Sequence, residues 1–313
     1  MENLVLSLNA VLPMLLVMIT GYAARRFRVI SGEDVPRVNR AAFRIFLPCM
    51  LFYNIYCADL SQSVQPGLIA YSVVCVLLVF AASVYGAARF VPQQDHKGVV
   101  AQGIFRSNFV IMGLPIAGAL AGEDNLSSVA VLIAVIVPLF NFLAVVALEK
   151  FRGRRVKTGE VLLQIVRNPL IVGSFLGILF QLLNIRLPAV AEKAVSNLGS
   201  IATPLQIFLL GAFFRFDGLG RFRRTLAAVT GIKLFLIPAL VLGVGAALGF
   251  RGVDFLGLLG AFGAPTAVNS FTMVQQMQCG DAELAGDIVV ITTLVSIFSF
   301  FIWILVFKTL GMF

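Results

Sequence analysis

Two asparagines set beside two prolines are the residues of this sequence best suited to chemistry. Asn108 lies in Gly103-Ile-Phe-Arg-Ser-Asn-Phe-Val-Ile-Met-Gly-Leu-Pro-Ile-Ala-Gly118, with Gly113 and Pro115 at its centre. Asn269 lies in Gly257-Leu-Leu-Gly-Ala-Phe-Gly-Ala-Pro-Thr-Ala-Val-Asn-Ser-Phe-Thr-Met-Val-Gln-Gln276, with Gly260, Gly263 and Pro265 in its middle. Both stretches are apolar enough to cross a bilayer. Proline removes a backbone donor and clashes with the carbonyl one turn back. In hydrocarbon the freed groups find no bulk water, so such a break survives only inside protein or against a polar cavity. Pro115 and Pro265 are therefore expected to open their helices and leave the N–H groups of each following half-helix to attract an anion. Asn108 and Asn269 both donate and accept, so each suits a carboxylate or a neutral polar group. Capping of its own broken helix is the structural alternative for each. Ser107, Thr266, Ser270 and Gln275 are further substrate-binding candidates on the same stretches, although hydroxyls in membrane helices often bond to their own backbone. Two such breaks facing each other around a small solute form the pattern of a transporter site.

Two cations are electrostatic candidates. Lys233 stands about nine residues into an apolar span, where it either snorkels to the surface or partners an anionic substrate. Arg106, at the inner end of its span, either steers anions inward or simply marks orientation. Asn141, in Pro138-Leu-Phe-Asn141, is an amide for binding or for helix packing. The 15 carboxylates, Asp287 among them, fall in loops or at span ends, and the single histidine, His96, falls in the polar stretch Pro92-Gln-Gln-Asp-His-Lys97. Proton relays usually use an intramembrane carboxylate or histidine, and a sodium site can be built from amides, hydroxyls and carbonyls. Coupling to Na+ or H+ therefore stays unassigned, and no cofactor is expected. The four cysteines, Cys49, Cys57, Cys75 and Cys279, have no metal-ligand spacing. Acid–base catalysis would want a buried His, Asp or Glu, and no phosphate-cradling motif is present. No catalytic residue and no enzyme is read here.

The elements that must position these residues are membrane helices. The 313 residues are 59% hydrophobic and 12% charged, with mean hydropathy +0.97; a soluble domain carries about twice that charge. Ten spans fall near 4–24, 41–58, 67–90, 98–121, 127–149, 166–184, 197–214, 225–249, 253–277 and 285–307, each of bilayer-crossing length. The first lacks a basic leader and a cleavage site and reads as a retained span. Of the 24 basic residues, 19 follow odd-numbered spans and four follow even-numbered ones. Positive charge marks the cytoplasmic side, so both termini are expected outside the cytoplasm of a multi-pass cell-membrane protein. That bias also accounts for the net charge of +9 without nucleic acid as a partner. Gly21 precedes Pro48 by 27 residues, and Gly177 precedes Pro204 by the same interval. Residues 1–150 and 166–313 thus read as two five-helix repeats of opposite topology, joined by a cytoplasmic linker at 151–165, within one transporter unit. The fold expected is all-α and polytopic, with spans four and nine broken and their breaks facing each other.

Val38-Asn-Arg-Ala-Ala-Phe-Arg-Ile-Phe-Leu-Pro48, Arg106-Ser-Asn-Phe-Val-Ile-Met-Gly-Leu-Pro115, Ala264-Pro-Thr-Ala-Val-Asn-Ser270 and Asp281-Ala-Glu-Leu-Ala285 leading into Thr292-Thr-Leu-Val-Ser296 resemble the auxin efflux carrier family. The likeness runs the whole chain, and the order and spacing of the motifs make it specific. It implies the fold of bile acid–sodium symporters: a scaffold of spans one, two, six and seven, a core of the other six with spans four and nine crossing at their prolines, and elevator-type movement between them. Plant members export auxin and bacterial members are malate or malonate permeases; the absence of a long central loop resembles the compact bacterial type. The family's crossover asparagine matches Asn108, which precedes its proline, whereas Asn269 follows its own. The resemblance also suggests a homodimer. The expected activity is secondary transport of a small organic anion, such as malate, malonate or an auxin-like acid, with a channel or facilitator as the alternative.

Overall fold

The computed structural model describes residues 2–57, 66–122, 126–152, 166–215 and 217–313. The regular elements among them are helices: α1 (Glu2–Arg26), α2 (Asp34–Ala41), α3 (Leu47–Tyr56), α4 (Pro66–Phe90), α5 (Gln94–Phe105), α6 (Leu114–Ala121), α7 (Ser127–Lys150), α8 (Pro169–Leu182), α9 (Ala189–Phe213), α10 (Asp217–Gly231), α11 (Ile237–Ala247), α12 (Gly252–Gly263), α13 (Asn269–Met277) and α14 (Ala282–Thr309). Among the described residues, seven helical segments are long and apolar enough to cross a membrane, and α8 and α12 are shorter apolar helices. The chain is an integral membrane protein. Helix covers each apolar stretch read from the sequence, but several begin earlier. α9 starts at Ala189, and α10 at Asp217. Their first two turns carry Glu192 and Lys193, and Arg221, Arg223 and Arg224, which lower local hydropathy without ending an amphipathic helix. Of the expected linker, residues 153–165 lie outside the described ones.

Two helix pairs close through glycine. At the crossing of α1 and α9, a Cβ added to Gly21 would lie 1.9 Å from the Phe208 carbonyl oxygen, and one on Gly211 would lie 1.9 Å from that of Met18. Between α3 and α8, a Cβ on Gly173 would lie 2.6 Å from the Pro48 carbonyl oxygen, and one on Gly177 would lie 2.9 Å from that of Phe52. Such backbone-to-backbone approach is how membrane helices gain contact where hydrophobicity drives nothing.

Among the described residues three π turns, Ala42–Phe46, Phe109–Gly113 and Ile232–Leu236, each end two residues before a proline: Pro48, Pro115 and Pro238. The wider turn relieves the clash with the carbonyl four residues back and accommodates the missing donor. At Pro238 that orphaned carbonyl is Leu234, and the Trp303 indole donates to it at 2.8 Å. Pro115 therefore does not open its helix, contrary to the expectation from sequence: it sits in the first turn of α6, and the helix runs through it.

Candidate substrate site at two facing helix breaks

The first interruption lies upstream of Pro115, at Arg106–Asn108, between α5 and the π turn that starts at Phe109. The second, at residues 264–268, separates α12 from α13 and contains Pro265, as the sequence predicts. Ala264 is extended, with φ −68° and ψ 151°, the conformation a following proline enforces. The breaks satisfy each other's backbone. The Asn108 N–H donates to the Pro265 carbonyl at 2.8 Å, the Thr266 hydroxyl to the Gly103 carbonyl at 2.7 Å, and the Ser107 hydroxyl to the Ala264 carbonyl at 3.4 Å. Thr292 on α14 accepts from the Thr266 N–H at 3.2 Å. Beside the breaks the rods touch at Gly113 and Gly260, where a Cβ on either would come within 2.8 Å of the other's Cα.

A cavity of about 50 Å³ opens between the breaks, lined in part by Arg106, Ser107, Asn108, Asn141, Gln206 and Asn269. That volume holds a few waters at most. Arg106 dominates it. The side chain is 1% exposed, so it is buried in the core and not at the surface-facing inner end of its span where the sequence reading puts it. It donates to Gln102 Oε1 at 2.8 Å, to Met273 Sδ at 2.7 Å, and to Asn141 Oδ1. None of these partners is charged, and among the described residues no carboxylate pairs with Arg106. By taking the two amide oxygens, Arg106 leaves Asn141 Nδ2 and Gln102 Nε2 buried without partners. The result is one cation flanked by two unpaired donors.

The other predicted residues divide. Asn108 and Asn269 both line the cavity; Asn269 Oδ1 has no partner, and the Asn108 amide is 3.9 Å from Met14 Sδ. Ser270 is buried with its hydroxyl unpartnered but does not line this cavity. Thr266 is spent on the bonds that tie the breaks together. Gln275 accepts from Asn39 Nδ2 at the α2 side of α13, away from the breaks. Lys233 is 1% exposed, so it does not snorkel; it lies in the π turn Ile232–Leu236, outside the cavity lining, and that turn packs on α5, α12 and α14. Gln102, Gln206 and Met273 were not singled out from sequence. Gln102 stands one turn before Arg106, a spacing that puts both on one helix face, and that was the available signal.

Two titratable residues also depart from expectation. Asp281 caps α14 by accepting from the Glu283 and Leu284 N–H groups at 2.8 and 3.1 Å. The helix thus starts before the apolar run and carries Asp287 into its second turn, 2% exposed with Oδ2 unpartnered. His96 is not in a loop but in the first turn of α5, 7% exposed, its Nε2 3.4 Å from Asp281 Oδ2. Among the described residues, Asp95, His96 and Asp281 are the group whose ligand atoms could meet at a metal, all within 4.8 Å of one another. His96 lies ten residues before Arg106 along the chain, roughly 15 Å at helical rise, so this group is separate from the cavity.

A family model described as membrane transport protein matches residues 6–304. The chain is 23% identical over 302 residues to an uncharacterized transporter of Methanothermobacter thermautotrophicus, covering 95% of this chain and 97% of the relative. It is 20% identical over 308 residues to an uncharacterized transporter of Methanocaldococcus jannaschii, with the same coverage of 95% and 97%.

Proposed function

We propose, from the premise that this chain belongs to the membrane transport protein family of auxin efflux carriers, that it is a secondary carrier for small organic anions, carboxylates of the malate, malonate or auxin-like kind. The observation that carries this reading is Arg106: a buried guanidinium with no carboxylate partner among the described residues, bonded to two amide oxygens whose NH2 groups are buried without partners. A buried charge without a counter-charge is costly, and a substrate carboxylate would supply the missing one through a forked, charge-assisted contact. Asn108 and Asn269 would orient it, and the first N–H groups of α13 would add their partial positive charge. Lys233, behind the breaks, adds positive potential to the same core.

Movement would be of the elevator type. In this reading the α1–α9 and α3–α8 pairs, each closed by glycine, together with α2, which packs on α9, form a scaffold related by the inverted repeats 1–150 and 166–313, with 151–165 as the linker. The remaining helices carry the two breaks as a core, giving ten spans with both termini outside the cytoplasm in the cell membrane, and a homodimer through the scaffold. The bonds from Gln206 to Thr272 (3.2 Å) and from Asn39 to Gln275 would then be broken and remade during transport. Buried Asp287 makes proton coupling available alongside sodium coupling. A channel or facilitator would want polar groups along several spans, whereas the polar side chains lining the cavity, Arg106, Ser107, Asn108, Asn141, Gln206 and Asn269 among them, sit at or beside the two breaks.

The test is uptake into proteoliposomes against a panel of mono- and dicarboxylates, with and without imposed Na+ and H+ gradients. Saturable flux with counterflow is expected for at least one carboxylate, and that ligand should raise Tm by mass action. Non-saturating flux without counterflow would replace the carrier with the channel or facilitator.

A further inference from the structure

An apolar groove runs between α4 and α10–α11, floored by Val100 and Ile104 of α5, with a volume of about 810 Å³. Its two ends differ chemically. At one, Tyr71 donates to the Val241 carbonyl at 2.5 Å and packs against Phe250 with ring centroids 5.3 Å apart, closing the gap. At the other, exposed Arg224 lines the groove. There too the Arg89 guanidinium lies 5.9 Å from the centroid of the Phe90 ring, which is itself part of the lining. The chain from Tyr71 to Phe90 is one uninterrupted helix, so the groove is roughly 28 Å long at helical rise, about the hydrocarbon thickness of a bilayer.

We infer that this groove holds the acyl chains of an anionic phospholipid, its headgroup phosphate on Arg224 and Arg89. The walls offer hydrocarbon along their length and a lining arginine at one mouth, while Arg251, beside Phe250 at the other, donates to the Ala246 and Phe250 carbonyls and is not part of the lining; that is the polarity of the molecule and suits a phosphate at the first mouth. A second copy of this chain fits less well. A two-fold contact is made by the same patch on both partners, and in a membrane it would bring four arginines together at one depth.

The test is native mass spectrometry of the full chain, stripped with detergent and re-exposed to equimolar phosphatidylglycerol and phosphatidylcholine. Wild type should retain one lipid per chain, with phosphatidylglycerol favoured roughly tenfold or more, the ratio two surface arginines supply toward an anionic headgroup. The Arg89→Ala, Arg224→Ala double variant should keep a lipid and lose the preference. Ala228→Trp, which fills the groove from an exposed position, should retain none; Val244→Trp, at the far rim, serves if that variant does not fold. Equal retention of both lipids by wild type, no retention, or retention unmoved by the tryptophan would each overturn the proposal. So would disulfide-linked dimers through Leu240→Cys in native membranes, which would assign the groove to a second copy.

Discussion

At residues 264–268 the helix is interrupted where Pro265 stands, whereas at Arg106–Asn108 it is interrupted where neither glycine nor proline stands. The second break follows from local chemistry: an absent N–H, and a preceding residue forced into extended backbone. The first follows from partners elsewhere in the chain. Its Asn108 N–H goes to Pro265, its Ser107 hydroxyl to Ala264, and its arginine to Asn141 and Met273. The dependence runs one way: α12 and α13 would part even without the first break, but the first break has no reason to open without the second. The charged group sits on the dependent side, where a change in partners can reshape it.

The largest effect is expected from removing that charge. Arg106→Gln should lower carboxylate uptake by roughly ten- to a hundredfold, the worth of about 1.5–3 kcal/mol for a charge-assisted bond. Tm should hold or rise, because an unpaired buried charge is lost. Normal transport by this variant would remove Arg106 from the site. Next is Pro265→Ala, which restores a donor and lets α12 extend toward α13; uptake should fall about tenfold, comparable to about 1.4 kcal/mol. If uptake were unchanged, the local origin of the second break would be wrong. Thr266→Val tests the bonds between the breaks. It leaves the Gly103 carbonyl unpaired and should cost about 1–3 kcal/mol of stability, read as a lowered Tm with transport per folded molecule retained. The smallest effect belongs to Pro115→Ala. A proline in a first helical turn loses little, so stability should change by less than about 1 kcal/mol and uptake should stay near wild type; a large loss would mean that α6 does open there.

The sequence could be read where the cause of a feature is local. Pro265 marks its own break, and the long apolar runs mark the helices. Pro115 misled because the sequence shows a breaker but not the π turn at Phe109–Gly113 that absorbs it. The break at Arg106 was hidden because its determinants are residues 35 and more than 150 positions away. Gln275 looked like a site residue because it follows Asn269 in a polar run, yet six helical residues turn it by about 240° toward α2. Asp287 and His96 were placed at the surface by hydropathy, which penalises charge whether or not a helix continues beneath it. What hydropathy could not register was the Asp281 cap, a pair of short hydrogen bonds that starts α14 early.

Trp303 is the only tryptophan of the chain, and its indole is bonded to the carbonyl that Pro238 leaves free. Intrinsic fluorescence is therefore a one-address signal, reporting on the π turn between α10 and α11 without any dye. An emission shift on adding a carboxylate would time a rearrangement of that turn in milliseconds by stopped flow, and a silent spectrum would say that this joint stays rigid while the cargo binds.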